Sequence, residues 1–202
     1  MKFLAIDTSG SHLTVIANGE KLSVKYIEDC RLSHSVVLMD EIEKALSEAE
    51  MTLKDAEVLA CCVGPGSFTG IRIGISTIKA FAYAENKKVL PVTSFEVLAY
   101  NKSSEKDKLT LIDARHDNFY ACGFSKQNEV ILDPFFAPIS EIEKICGNYD
   151  IISDIKIDNG LFVENKSEGF LRAVQAKLNS ATDDRESLIP LYVKKSQAEE
   201  EL

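Results

Sequence analysis

The stretch FLAIDTSGSHLTVIANGEKLSVKY, residues 3–26, decides the fold. Phe3 to Ile6 is an unbroken apolar run that stops at Asp7-Thr8-Ser9-Gly10, the composition of a buried strand leaving into a polar turn. Leu13, Val15 and Ala17 then alternate, Asn18-Gly19 offers the pair that a two-residue type I′ turn favours, and Leu22, Val24 and Tyr26 alternate on the return. The spacing predicts three consecutive strands. The pattern comes back: Ile112-Asp113, followed by alternating Phe119, Ala121 and Gly123, stands 106 residues after Ile6-Asp7 and Leu13, Val15 and Ala17. Between the copies, residues 101–108 (NKSSEKDK) contain no apolar side chain and read as a linker. The repeat predicts two similar lobes, residues 1–100 and a reduced second lobe over 109–202, each led by a strand, an aspartate and a hairpin.

Working outward, Leu38, Ile42, Ala45, Leu46 and Ala49 fall on one face of a helix over 35–50. Val58 to Val63 has the continuous apolarity of a central strand. GPGSFTG (64–70) then opens a helix running to about Asn86, with Ile71, Ile75, Ile78 and Ala82 at helical spacing. Val89 to Val92 reads as a strand, and Thr93-x-x-Glu96 as a capping box. The second half is sparser: a short helix from Ser140-x-x-Glu143 to Cys146, a strand over 149–153, and a helix over 169–178 with Phe170, Val174 and Leu178 on one face. Alternating strands and helices argue for an α/β architecture.

Composition narrows the function. With 45% hydrophobic residues the 202-residue chain carries enough apolar mass for a real core, which excludes a disordered chain. A formal charge of -9 disfavours autonomous nucleic-acid binding. The longest apolar run, 58–63, is far shorter than the ~20 residues of a membrane span, and the N-terminal apolar stretch is too short for an export signal. Five cysteines without a CxxC suggest neither a disulfide framework nor a zinc site, so a cytoplasmic protein with reduced thiols is expected.

The loop at 64–70 is the most distinctive motif. Ile71-Arg72 follow Gly70 where a P-loop needs Lys and Ser or Thr; Thr69 stands where a dinucleotide loop needs glycine; a nucleophile elbow around Ser67 lacks both flanking glycines. What remains is a tight turn that sets a helix against the sheet. Gly70 and Gly74, one turn apart, cost helix stability unless another backbone approaches closely, either within the fold or in a partner. Asp7 and Asp113 could hold magnesium between two lobes, with Thr8 and Ser9 beside a nucleotide. Such phosphate loops put glycine right after the aspartate, and here Thr8-Ser9 and Ala114-Arg115 follow, so a turn-capping role is favoured. His12, His34 and His116 form no ligand pair, so no metal site is expected. Arg72, early in its helix, is expected to meet an acid or a partner.

Taken together, LAIDTS (4–9), His34-Ser35, VGPGSFTGIRIGISTIKAFA (63–82), VTSFEVLA (92–99), IDAR with Tyr120, and PLYVKKSQAE (190–199) resemble the TsaB family, also called YeaZ. Residues 147–170 depart from it, being short and without a glycine-rich stretch, and Lys194 stands where many relatives carry Arg. The resemblance implies a two-lobed fold of the actin, sugar-kinase and Hsp70 type and a role in making N6-threonylcarbamoyladenosine at position 37 of tRNAs that read codons beginning with A. It implies a scaffold without a cofactor of its own, paired with the catalytic subunit TsaD and joined by the ATPase TsaE, meeting tRNA only through the complex and forming a homodimer when TsaD is absent. The implied pairing surface is the two N-terminal-lobe helices, with Leu38, Ile42, Leu46, Gly70, Arg72, Gly74 and Ile78 as its residues. An active ATP-dependent enzyme of the same fold is the alternative; a metallopeptidase lacks its ligands.

Overall fold

The computed structural model describes residues 1–30 and 33–194; the end of the family-like stretch at 190–199 and most of the polar tail lie outside the described residues. The first sheet has the order β3-β2-β1-β4-β5, built from β1 (Phe3–Asp7), β2 (Leu13–Asn18), β3 (Leu22–Ile27), β4 (Val58–Cys62) and β5 (Lys88–Val92). The first three strands are antiparallel, and β1, β4 and β5 run parallel, as crossovers through α1 (His34–Glu48) and α2 (Phe68–Ala84) require. After α3 (Ser94–Asn101) the plan repeats with β6 (Lys108–Asp113), β7 (Asn118–Phe124), β8 (Val130–Pro138), α4 (Ile139–Ile145), β9 (Asp150–Ser153) and β10 (Leu161–Phe162), ordered β10-β9-β6-β7-β8. The duplicated pattern in the sequence therefore corresponds to duplicated topology. Asp7 pairs with Thr14 whereas Asp113 pairs with Phe119, so the second hairpin is one residue tighter than a constant offset would make it.

Two expectations change in detail. The turn at Asn18-Gly19 is a loop of Gly19, Glu20 and Lys21, because Asn18 pairs with Leu22. Gly19 is there for space: a methyl group on it would overlap the Ala49 carbonyl oxygen at the end of α1, to which Lys21 N–H donates. The second change concerns α5 (Ser167–Lys177), expected within the second lobe. It packs on the first sheet instead, where Phe170, Ala173 and Val174 share a core with Phe3, Ala5, Val58 and Leu90. Thr182 extends that return by bridging to Val89.

The layers follow from these faces. One face of the first sheet buries Leu4, Ile6 and Val15 against Leu38 and Ile42 of α1 and Ile71, Ile75 and Ile78 of α2. Its other face is covered by α5 and by α3, whose Phe95 and Leu98 turn toward the second sheet and meet Ile112 and Phe124. Each fully buried large aliphatic chain contributes about 1.5–3 kcal/mol. The outer face of the second sheet is covered more thinly, by α4 and by Ile155 and Ile157 of the loop between β9 and β10, where the first lobe has a whole helix. Lys108, buried at the start of β6, donates to the Ala99 carbonyl at 2.9 Å and to Asn128, tying the end of α3 to the second lobe.

The glycines of α2 fit the loop after β1 rather than a partner. A methyl group on Gly70 would overlap the Thr8 carbonyl oxygen, and one on Gly74 would lie 2.6 Å from Thr8 Oγ1. Gly70→Ala is expected to cost about 1–3 kcal/mol, read as a lower urea midpoint with unchanged m-value; an unchanged midpoint would show that this contact can relax freely.

Candidate functional site

The two duplicated hairpins face each other across a cleft of about 760 Å³, lined from the first lobe by Ser9, Gly10, Ser67 and Thr69 and from the second by Asp113, Arg115, Asp154 and Lys166. Each lobe contributes the turn that follows its first strand, and both turns close in the same way. Asp7 Oδ1 accepts from Ser9 N–H at 2.8 Å, and Asp113 Oδ1 accepts from Arg115 N–H at 2.8 Å. Both aspartates therefore cap their own turns, the role favoured from the residues that follow them.

Beyond that shared bond the turns diverge. Asp7 is buried, and its carboxylate also accepts from Ser9 Oγ at 2.7 Å and from His12 Nε2 at 3.3 Å. Burial alone would push its carboxyl up; the His12 ring and the two Ser9 donors outweigh that and hold it well below the usual carboxylate range. His12 stacks on Tyr26 with ring centroids 5.4 Å apart, and His34 Nε2–H donates to the His12 carbonyl at 2.9 Å. Thr8 Oγ1 donates to the Gly70 carbonyl at 2.7 Å, and Ser67 N–H donates to the Ser9 carbonyl at 2.6 Å. Ser9 Oγ also lies 3.2 Å from Ser94 Oγ, beside a Cys62 thiol that burial pushes up to about 12. The side chains of Asp7, Thr8 and Ser9 are thus engaged within the chain.

The second turn is open. Arg115, His116 and Asp117 all have positive φ, 70°, 52° and 57°. The Asn118 side chain holds this left-handed run by donating to the carbonyls of Arg115 and His116. Arg115 is exposed, 3.6 Å from Asp113. Asp154 accepts from Asp113 N–H at 2.9 Å and lies 3.7 Å from Lys166 Nζ. Lys166, which nothing in its sequence surroundings marks out, comes from a strap pinned by Tyr26 Oη–H donating to the Glu164 carbonyl at 2.8 Å.

The residues expected on a partner-facing surface separate cleanly. Leu38, Ile42 and Ile78 are buried against the first sheet, Gly70 and Gly74 are covered by Thr8, and Leu46 is half-buried on the same core. They build the lobe, because helical periodicity marks the face that α1 and α2 bury beneath themselves. Arg72 alone of the set is exposed. The outward apolar positions of these helices are Val36 and Met39 of α1, 72% and 52% exposed, and Phe68 and Tyr83 of α2, 53% and 57% exposed, with Ile73 half-buried beside the cleft. Among the described residues no group of three or more His, Cys, Asp or Glu side chains could hold a metal ion, all five cysteines are free, and no helix is long and apolar enough to cross a membrane.

Two lobes of one topology, opposed turns after their first strands and a cleft between them define an α/β protein of the actin, sugar-kinase and Hsp70 type. Residues 28–156 match the family model described as TsaD, tRNA N6-adenosine threonylcarbamoyltransferase. The chain is 30% identical over 131 residues to the tRNA threonylcarbamoyladenosine biosynthesis protein TsaB of Buchnera aphidicola, covering 63% of this chain and 62% of that one. It is 29% identical over 133 residues to TsaB of Bacillus subtilis, covering 65% and 58%. The aligned part thus spans about three fifths of the length of these relatives. The solved structure of YeaZ from Pseudomonas aeruginosa superposes with a TM-score of 0.74 at 22% identity, over 95% of this chain and 99% of that one. The chain belongs to the TsaB (YeaZ) family.

The linkage at Asp7 has a definite sign. Its carboxyl is lowered on folding, so the stability it adds is fully present above the ordinary aspartate value of ~3.9 and is lost as the pH falls below that value. Asp7→Asn is expected to flatten the fall in urea midpoint between pH about 5 and 2; a wild-type acid limb in the variant would place the linkage elsewhere.

Proposed function

We propose that this chain is a non-catalytic subunit in the biosynthesis of N6-threonylcarbamoyladenosine at position 37 of tRNAs reading codons that begin with A. In this reading it pairs with a TsaD-like catalytic subunit, is joined by a TsaE-like ATPase, and meets tRNA through the assembled complex in the cytoplasm. The observation that carries the scaffold role is the state of the first turn. Asp7, Thr8 and Ser9, the groups that would face magnesium and phosphate in an active enzyme of this fold, bond instead to His12, Gly70 and each other. A turn whose acceptors are already satisfied has little left to offer a metal.

Pairing runs through the outward faces of α1 and α2 in this reading. The match to the TsaD model supports it, since two chains of one ancestry can join through the same helices about a pseudo-twofold axis. Val36 and Met39 provide exposed apolar area there that none of the described residues covers. The same face suits a homodimer when the catalytic subunit is absent. Introducing Val36→Asp and Met39→Asp together is expected to weaken pairing with the purified catalytic subunit at least about tenfold, measured by size-exclusion chromatography and calorimetry, with the urea midpoint kept. Undiminished pairing would move the interface off these helices.

The size of the cleft favours one other reading, a weakly active ATP-binding enzyme, because about 760 Å³ lies within the range of small-molecule sites and Arg115 and Lys166 are at hand for phosphate. Reconstituted tRNA modification separates the two. The scaffold reading expects the catalytic subunit to stall without this chain, and the chain alone to hydrolyse no ATP. Magnesium-dependent turnover by the chain, abolished in Asp7→Asn, would replace it with the enzymatic reading.

A further inference from the structure

The cleft between the lobes is bridged on both of its flanks. In the first sheet β3 and β2 lie to one side of β1, and β4 and β5 to the other; in the second, β10 and β9 lie to one side of β6, and β7 and β8 to the other. A strap over residues 163–166 crosses between the lobes on the side of β3 and β9. The second lobe holds it by Val163 N–H, which donates to the Ser153 carbonyl at 2.9 Å, and by Lys166 Nζ, 3.7 Å from Asp154. The first lobe holds it by Tyr26 Oη–H, which donates to the Glu164 carbonyl at 2.8 Å. Burial pushes the Tyr26 phenol up, so it remains a neutral donor.

A second crossing, over residues 188–194, runs on the side of β4 and β7. Leu188 is buried in the core of the first lobe, and Leu191 N–H donates to the Val63 carbonyl at 2.8 Å just past β4. The Leu191 side chain packs on that core and also on the one that holds Ile112 and Cys122 of the second sheet, where Val193 joins it. Lys194 Nζ then lies 4.9 Å from the centroid of the Phe136 ring on β8. Narrowing the cleft by a hinge rotation therefore has to disturb a hydrogen-bonded strap on one flank and a side chain shared by two cores on the other. Close-packed side chains do not deform continuously, and hinge motion needs segments that absorb the change.

We propose that the strap at 163–166 and the segment at 188–194 form a clamp that holds the cleft at one width, so that the lobes do not swing shut. Tyr26 fastens one flank, and Leu191 with Val193 fastens the other. A ligand in this cleft meets a fixed surface and is not sealed from water by closure. The clamp lies within the single chain and does not depend on the pairing reading.

The test uses the intact chain with spin labels on Lys54→Cys, in the turn before β4, and on the native Cys146 of the second lobe, the other four cysteines being buried. Pulsed dipolar spectroscopy, with the labelled chain diluted in unlabelled chain, is expected to read one separation that an excess of ATP and magnesium does not move. Tyr26→Phe, which removes only the hydroxyl, is expected to speed amide hydrogen exchange over 163–167 about 5-fold. Tyr26→Phe combined with Val193→Ala is expected to broaden or split the separation. Two separations in the otherwise wild-type chain, or a shorter one on adding ATP and magnesium, would overturn the clamp. So would wild-type exchange and a wild-type separation in the combined variant. If the combined variant loses its cooperative urea transition, exchange in Tyr26→Phe alone decides, and an unchanged rate over 163–167 overturns the proposal.

Discussion

One close approach of backbone to backbone organises the first lobe. The turn after β1 lies against the start of α2 so tightly that Gly70 and Gly74 have no room for side chains, and two hydrogen bonds, from Thr8 Oγ1 to Gly70 and from Ser67 N–H to Ser9, fasten it there. This contact sets the angle of α2 on the sheet, which in turn decides that Ile71, Ile75 and Ile78 point inward. It also brings the start of the helix to the lip of the cleft. The glycine cost inside a helix is offset by that packing.

The same contact accounts for the asymmetry between two lobes of one topology. Both first-strand aspartates cap their turns, but only Asp7 is buried, on the face of the sheet that carries α3, with His12 bonded to its carboxylate and stacked on Tyr26. The second lobe has no counterpart of α2; the chain passes from β9 to β10 through a short loop. Its turn is free to present Arg115 outward on a left-handed run that Asn118 holds in place. A buried first turn, its Asp7, Thr8 and Ser9 side chains bonded within the chain, faces an exposed and charged one across the cleft.

Much of this architecture was legible in the sequence, for physical reasons. Strand runs such as 58–63, the capping box at Thr93 and Glu96, and the repeat of Ile-Asp followed by alternating apolar residues are local signals, and each corresponds to an observed element. Strand β8 was not legible, because Pro134 interrupts its pattern and most of it faces solvent. Periodicity shows that α1 has an apolar stripe but not what lies over it, which is why Leu38 and Ile42 read as partner contacts and prove to be core. The pairing of His12 with Asp7 spans a turn and leaves no spacing signature, and the return of α5 to the first sheet is a tertiary choice that composition does not encode.

That return has a consequence for how the molecule comes into being. Phe3, Ala5, Val58 and Leu90 are all translated before residue 100, yet the helix that shields them is translated only after every strand of the second sheet. The amino-terminal half must wait with an oily surface uncovered while the other half is synthesised. The polypeptide closes on itself like a clasp, and the first sheet is not sealed until α5 comes home to it.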